Sequence, residues 1–169
     1  TNTDTVMTAM DDADINVLGL LQSGGWQDNS FDTPAERESF GDFAVATVNR
    51  YKNQVKHWEI INEANTSLEL TPANYVLLLQ EVYPRIKAED PEAVVITVGN
   101  AAVPTTGATF YGAEDYMQDI YDNGGQDFFD AVGFHPYTFP LFPSSPEGFT
   151  GWNLMKNVRD VMVAEGDTN

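Results

Sequence analysis

Four short apolar runs punctuate the chain, at 15–21, 57–62, 93–98 and 129–135, and between them apolar residues recur every three or four positions. Runs of that length read as strands and the intervening spacing as helices, so the pattern predicts βαβ units and a parallel sheet. The first run, Ile15 to Leu21, is continuous and apolar, as strands buried on both faces tend to be. Thr33, Pro34 and Glu36 then supply an N-cap, a proline at the first helical position and a capping-box glutamate. Phe40, Phe43, Ala44 and Val48 share one face, which predicts a helix running to Tyr51.

Thr71 and Pro72 open the next helix with the same signature, and Tyr75, Leu78, Leu79, Val82 and Ile86 form its stripe. Pro84 lies inside it and is expected to kink it or end it early. A further helix is expected over 113–122, closed by Gly124-Gly125. The last starts near Gly151, with Trp152, Met155, Val158 and Met162 at helical spacing and Gly166 at its end. Residues 3–13 read as the end of a helix that precedes the first strand. The organisation is α(βα)4 in a single domain over 1–169, a partial TIM (β/α)8 barrel of four consecutive βα units. A complete barrel typically needs roughly 250 residues.

Charge narrows the partners. Asp and Glu total 26 against 8 Lys and Arg, for a net charge of −18. Nucleic acid and anionic membrane surfaces both demand a basic face, so neither is an expected partner, whereas a neutral polysaccharide is compatible. The acid excess is spread along the chain, as in salt-adapted proteins or in an ordinary acidic secreted protein. There is no cysteine, hence no disulfide framework or thiolate metal site. No stretch approaches the roughly 18 apolar residues of a membrane helix. The first residues are polar, so a targeting segment, if one exists, lies upstream of Thr1.

The candidate chemistry sits at the end of the second strand, in Asn62-Glu63. Cleaving a sugar acetal requires a proton on the leaving oxygen as the bond stretches, and Glu63 at the carboxyl end of a parallel strand is placed to donate it. The Asn62 amide can donate to a sugar hydroxyl. Simple alternation sends the two side chains to opposite faces, so both reach one sugar only if the strand end is bulged. Glu59, inside the same apolar run, must be paired or hydrogen-bonded if it is buried.

His135 and Tyr137 fall where the fourth strand leaves the sheet, facing the same mouth: the imidazole to bond a sugar hydroxyl, the phenol to hold a catalytic carboxylate. Trp26, after Gly24-Gly25, either stacks on a pyranose or packs under its loop. Asn100 either contacts sugar or caps backbone. Asp130 reads as a strand-start cap. His135 has neither a partner histidine nor a ligand spacing, so no metal is expected, and the chemistry calls for no cofactor.

HWEIINEAN (57–65), YPRIKAEDPEAVV (83–95) and FFDAVGFHPYTFP (128–140) resemble the retaining (β/α)8 enzymes of glycoside hydrolase clan A, in particular their family 39 and family 5 type members. The similarity runs from the end of the second helix through the sixth. It implies that Glu63 is the general acid/base and that Asn62, His135 and Tyr137 line the glycone subsite. It also implies a β-linked oligo- or polysaccharide as substrate, cellulase- or xylosidase-like. In that clan the nucleophile is a second Glu at the end of the seventh strand. Gly166-Asp167 resembles the turn before that strand, so the nucleophile is expected beyond Asn169 and the fragment alone is expected to be inactive. An incomplete barrel has open edges, which missing segments or another copy of the chain would close. The rival reading is a non-catalytic carbohydrate-binding or assembly module derived from such a barrel. A third reading, an unrelated α/β hydrolase or metal enzyme with Glu63 as base, is disfavoured by the absence of a Gly-x-Ser-x-Gly elbow, a phosphate loop or ligand-spaced histidines.

Overall fold

The computed structural model describes residues 2–22, 30–66, 70–106, 111–143, 145 and 151–167. Helix α1 (Asn2–Asp12) leads into β1 (Leu18–Leu21), followed by α2 (Pro34–Tyr51) and β2 (His57–Ile60). Then come α3 (Pro72–Glu89), β3 (Val94–Ile96), β4 (Asn100–Ala101), α4 (Ala113–Asp122), β5 (Phe134–His135) and α5 (Gly151–Ala164). Single 3-10 turns occupy Ala64–Thr66 and Gln126–Phe128.

The helix starts follow from their caps. The Thr33 hydroxyl accepts from the Glu36 amide while the Glu36 carboxylate accepts from the Thr33 amide at 3.0 Å, a reciprocal capping box. Thr71 accepts from the Asn74 amide at 3.2 Å. Caps of this kind stabilise a helix by about 0.5–2 kcal/mol each. Gly124 and Gly166, with φ of 76° and 77°, take the left-handed position that ends α4 and α5.

Strands β1, β2 and β3 pair in parallel in that order, with Leu20 opposite Glu59 and Glu59 opposite Ile96. β4 pairs in parallel with β5, placing Ala101 opposite His135. Bridges Asn62–Gly99 and Ile96–Ala131 join the two sheets. The third expected strand is realised as β3, and β4 follows just beyond its expected end. Four parallel runs in chain order, each followed by a helix, make a partial TIM barrel.

Alternation assigns the two faces. Leu21, Trp58, Ile60 and Val95 point to the helix side, where they form one buried cluster with Tyr75, Leu78, Leu79, Val82 and Ile86 of α3. Tyr75 ties the layers together: its phenol donates to Ile60 O (2.9 Å) and accepts from Val98 N (2.6 Å). Asp130 accepts from Val95 N (2.8 Å), Tyr83 Oη (2.9 Å) and Lys87 Nζ (3.2 Å), so it fastens the start of the fourth run as expected. The interior face carries Leu18, Leu20, His57, Glu59, Val94 and Ile96.

Three sequence expectations change. The first run is not buried on both faces, since Leu18 and Leu20 on the interior face are 54 % and 46 % exposed. Pro84 does not end its helix, which continues to Glu89. Pro84 and Gln80, one turn before it, both lie on the exposed side, where the carbonyl that proline cannot serve is open to solvent. In α5, Trp152 is 49 % exposed, and the buried residues are Gly151, Val158 and Met162, with the half-buried Met155 on the same stripe at four- and three-residue steps. No helix among the described residues is long and apolar enough to cross a membrane.

Candidate active site

The carboxyl end of β2 leaves regular strand geometry at once. Ile61 and Glu63 both take left-handed backbone conformations, with φ of 65° and 48°. A left-handed β-branched residue is a true outlier and costs on the order of 1–3 kcal/mol, a strain that concentrates at functional sites. The surroundings hold it: Ile61 N donates to Leu21 O (3.0 Å) and Asn62 N to the Gln22 side chain (2.8 Å). Behind Glu63, the amide and hydroxyl of Thr66 both donate to its carbonyl, at 2.9 and 2.8 Å.

Asn65 is a fastening the sequence reading did not single out. Fully buried, it donates from Nδ2 to Ala101 O and Tyr111 O (both 3.0 Å) and accepts at Oδ1 from Ala101 N (2.9 Å). It thereby locks the turn that carries Glu63 to β4 and to the segment entering α4. No periodicity marks such a residue, because its partners are backbone atoms of a distant strand.

His135 arrives at the same place from β5. Its Nδ1 stands 2.8 Å from Glu63 Oε1, and its Nε2 stands 3.7 Å from Glu59 Oε1, an ion-pair separation. Glu59 is 6 % exposed. Burial pushes its carboxyl above the usual carboxylate range; His135 opposes that shift, Glu63 adds to it, and the Gly99 N–H donates to the carboxylate. The missing side chain at Gly99 makes this approach possible. A Cβ there would collide with His135 Nε2 and stand 2.8 Å from Glu59 Oε1. Glu59 was legible in the sequence only as an acid in an apolar strand that needed a partner; its partner lies in another strand.

The remaining expected site residues distribute as follows. Asn62 is exposed and Glu63 half-buried at the strand end. Tyr137 is 70 % exposed, with its ring edge-on to His135 at 5.9 Å between centroids. Among the described residues its phenol makes no hydrogen bond to a carboxylate, so it does not brace Glu63. Asn100 is fully buried, and its two amide atoms have no partner among the described residues. It pairs with Phe134 while Ala101 pairs with His135, so alternation puts it on the opposite face from the imidazole. Trp26 lies outside the described residues. The structure thus brings together Glu63, His135 and Glu59, with Tyr137 beside them.

Parallel strands in chain order with helices on one side define this chain as a partial (β/α)8 barrel, and its carboxylates and imidazole gather at the carboxyl ends of those strands. Among solved structures it is similar to a family 39 glycoside hydrolase from the gut symbiont Bacteroides cellulosilyticus WH2, with a TM-score of 0.69 and 24 % identity. That match covers 93 % of this chain and 34 % of the other. It is also similar to xylanase XynB from Paenibacillus barcinonensis, solved with a conduramine derivative, with a TM-score of 0.58 and 14 % identity over 97 % of this chain and 51 % of that one. The chain therefore spans about a third to a half of the length of these structures, and the likeness is one of fold. No family model and no curated protein matches the sequence.

Proposed function

We propose that the protein is a retaining β-glycosidase that hydrolyses O-glycosidic bonds in a β-linked oligo- or polysaccharide, with Glu63 as its general acid/base. The observation that carries this reading is the 2.8 Å contact between His135 Nδ1 and Glu63 Oε1 at the carboxyl ends of two parallel strands. An acid/base residue must be fixed in orientation and must hold its proton at one moment and release it at the next. A ring nitrogen on one carboxylate oxygen leaves the other oxygen free for the substrate.

In the first step Glu63 gives its proton to the departing alcohol oxygen as the sugar transfers to a nucleophilic carboxylate, which this reading assigns to a segment outside residues 1–169. In the second step Glu63 takes a proton from water, which releases the sugar. Glu59 is unsuited to the nucleophile's task, because it is buried on the same strand as Glu63 and engaged by His135 and the Gly99 N–H. Asn62, exposed beside Glu63, supplies a donor to a sugar hydroxyl, and Tyr137 an exposed ring for the glycone side.

Glu63→Ala in the full-length protein tests the assignment. Turnover of glycosides with poor leaving groups should fall by about 10²–10⁴-fold, while the first step on activated aryl glycosides, which need no proton, is largely spared. Equal losses on both substrates would remove Glu63 from the acid/base role. Retained hydrolysis of neither substrate by the wild type, with binding of the polysaccharide intact, would favour a non-catalytic module.

A further inference from the structure

The far side of the same imidazole faces a second carboxylate that the mechanism above does not use. Resting on that mechanism, we propose that His135 and Glu63 share one proton, and that Glu59, across the ring from Glu63, is a positioning residue whose charge sets on which of the two that proton sits.

The argument is one of proton counting along a measured geometry. His135 presents Nδ1 to Glu63 Oε1 at 2.8 Å and Nε2 to Glu59 Oε1 at 3.7 Å. A neutral imidazole carries one N–H and a charged one carries two. If both carboxylates are ionised, a doubly protonated ring puts an N–H toward each, and the three groups together carry a charge of minus one. If the ring is neutral, one carboxyl holds the proton and the total is again minus one. The states with the proton on Glu59, on the ring or on Glu63 differ only in its position. Only the Nδ1–Glu63 contact, at 2.8 Å, is a hydrogen bond along which the proton can pass; Glu59, 3.7 Å from Nε2, acts on the ring through its charge. After Glu63 has protonated the leaving oxygen, the ring and Glu59 hold the pair in register for the return proton taken from water in the second step.

The surroundings are built for this contact. Gly99 leaves the space in which the imidazole and Glu59 meet, and its N–H holds the Glu59 carboxylate. Glu59 is almost fully buried, and burial raises its carboxyl while His135 opposes that rise, so its charge is coupled to the ring. Among the described residues, Tyr137 stands edge-on to the ring, and the Tyr75 phenol, on the helix side of the sheet, is kept protonated by burial. His57 shares the interior face of β2 two residues before Glu59.

The test uses the full-length protein with Glu59→Gln, which keeps the shape and the acceptor for the Gly99 N–H. Removing one negative charge loosens the shared proton, so the alkaline limb of kcat/KM on a poor-leaving-group glycoside should move to lower pH by about one unit. A residue that merely fills space would lower the rate evenly and leave the limb in place, and that result overturns the proposal. A fixed limb alongside the leaving-group signature of Glu63→Ala sinks the shared proton alone; loss of that signature sinks the acid/base assignment itself. A second measurement needs no Glu59 variant. The carboxyl carbon resonance of Glu59 should titrate at higher pH in His135→Gln and at lower pH in Glu63→Gln, and no movement in either variant overturns the coupling.

Discussion

His135 Nδ1 stands 2.8 Å from Glu63 Oε1, although 72 residues separate the two in the chain. The approach depends on β5 and β2 delivering their carboxyl ends to one spot, and on Gly99 standing between them without a side chain.

Gly99→Ala should therefore damage the site more than its single methyl suggests. The new Cβ would meet His135 Nε2 and Glu59 Oε1, so the ring must leave one carboxylate or the other. Overpacking of this kind typically costs about 1–3 kcal/mol. A urea titration should show that loss together with a fall in turnover of poor-leaving-group glycosides. Wild-type turnover in Gly99→Ala would show that the His135 position is not needed.

Glu59→Gln should stabilise the protein at neutral pH. The Glu59 carboxyl is raised by burial, so the folded state holds a proton more tightly than the unfolded one, whose carboxyl titrates near about 4.3. Stability then falls as pH rises from the unfolded value through the folded one. A neutral amide escapes that loss, so its Tm advantage should be present at pH 7 and vanish below about pH 4. A lower Tm than wild type at pH 7 would mean that the ionised carboxylate is, on balance, a stabilising group.

Asn65→Ala should loosen the Glu63 turn. The substitution leaves Ala101 N–H without its partner in a buried setting, along with two carbonyls that each lose a donor. An orphaned buried polar group costs about 1–3 kcal/mol. Chemical denaturation should register a loss of at least that size, with kcat falling alongside it because Glu63 rides on the same turn.

Added salt should raise the thermal stability. With a net charge of −18, the compact state repels itself, and ions at molar concentration shorten the screening distance to about 3 Å. A melting series from low salt to 1 M KCl should rise throughout its lower range. A flat series would place the stabilising ion pairs, such as Lys56 with Asp90 at 2.8 Å, in balance with the repulsion.

Particular elements show where local reading succeeds. Thr33 and Thr71 mark their helix starts because a cap acts within one turn, and Gly124 marks an end because a left-handed φ is local. Pro84 misleads because its effect depends on which side of the helix faces water. Trp152 misleads because it lies one step round from the buried stripe that Gly151 begins. Leu18 and Leu20 look like core residues, yet their exposure depends on what lies across the interior face.

The sequence by itself determined the order of strands and helices, the parallel sheet and the position of Glu63 at a strand end. Periodicity and caps are short-range and survive in a string of letters. Only the tertiary structure decided that both nitrogens of His135 face carboxylates, that Glu59 is one of them and that Asn65 fastens the turn. Those contacts join residues dozens of positions apart through the curvature and register of the sheet, which no local pattern encodes.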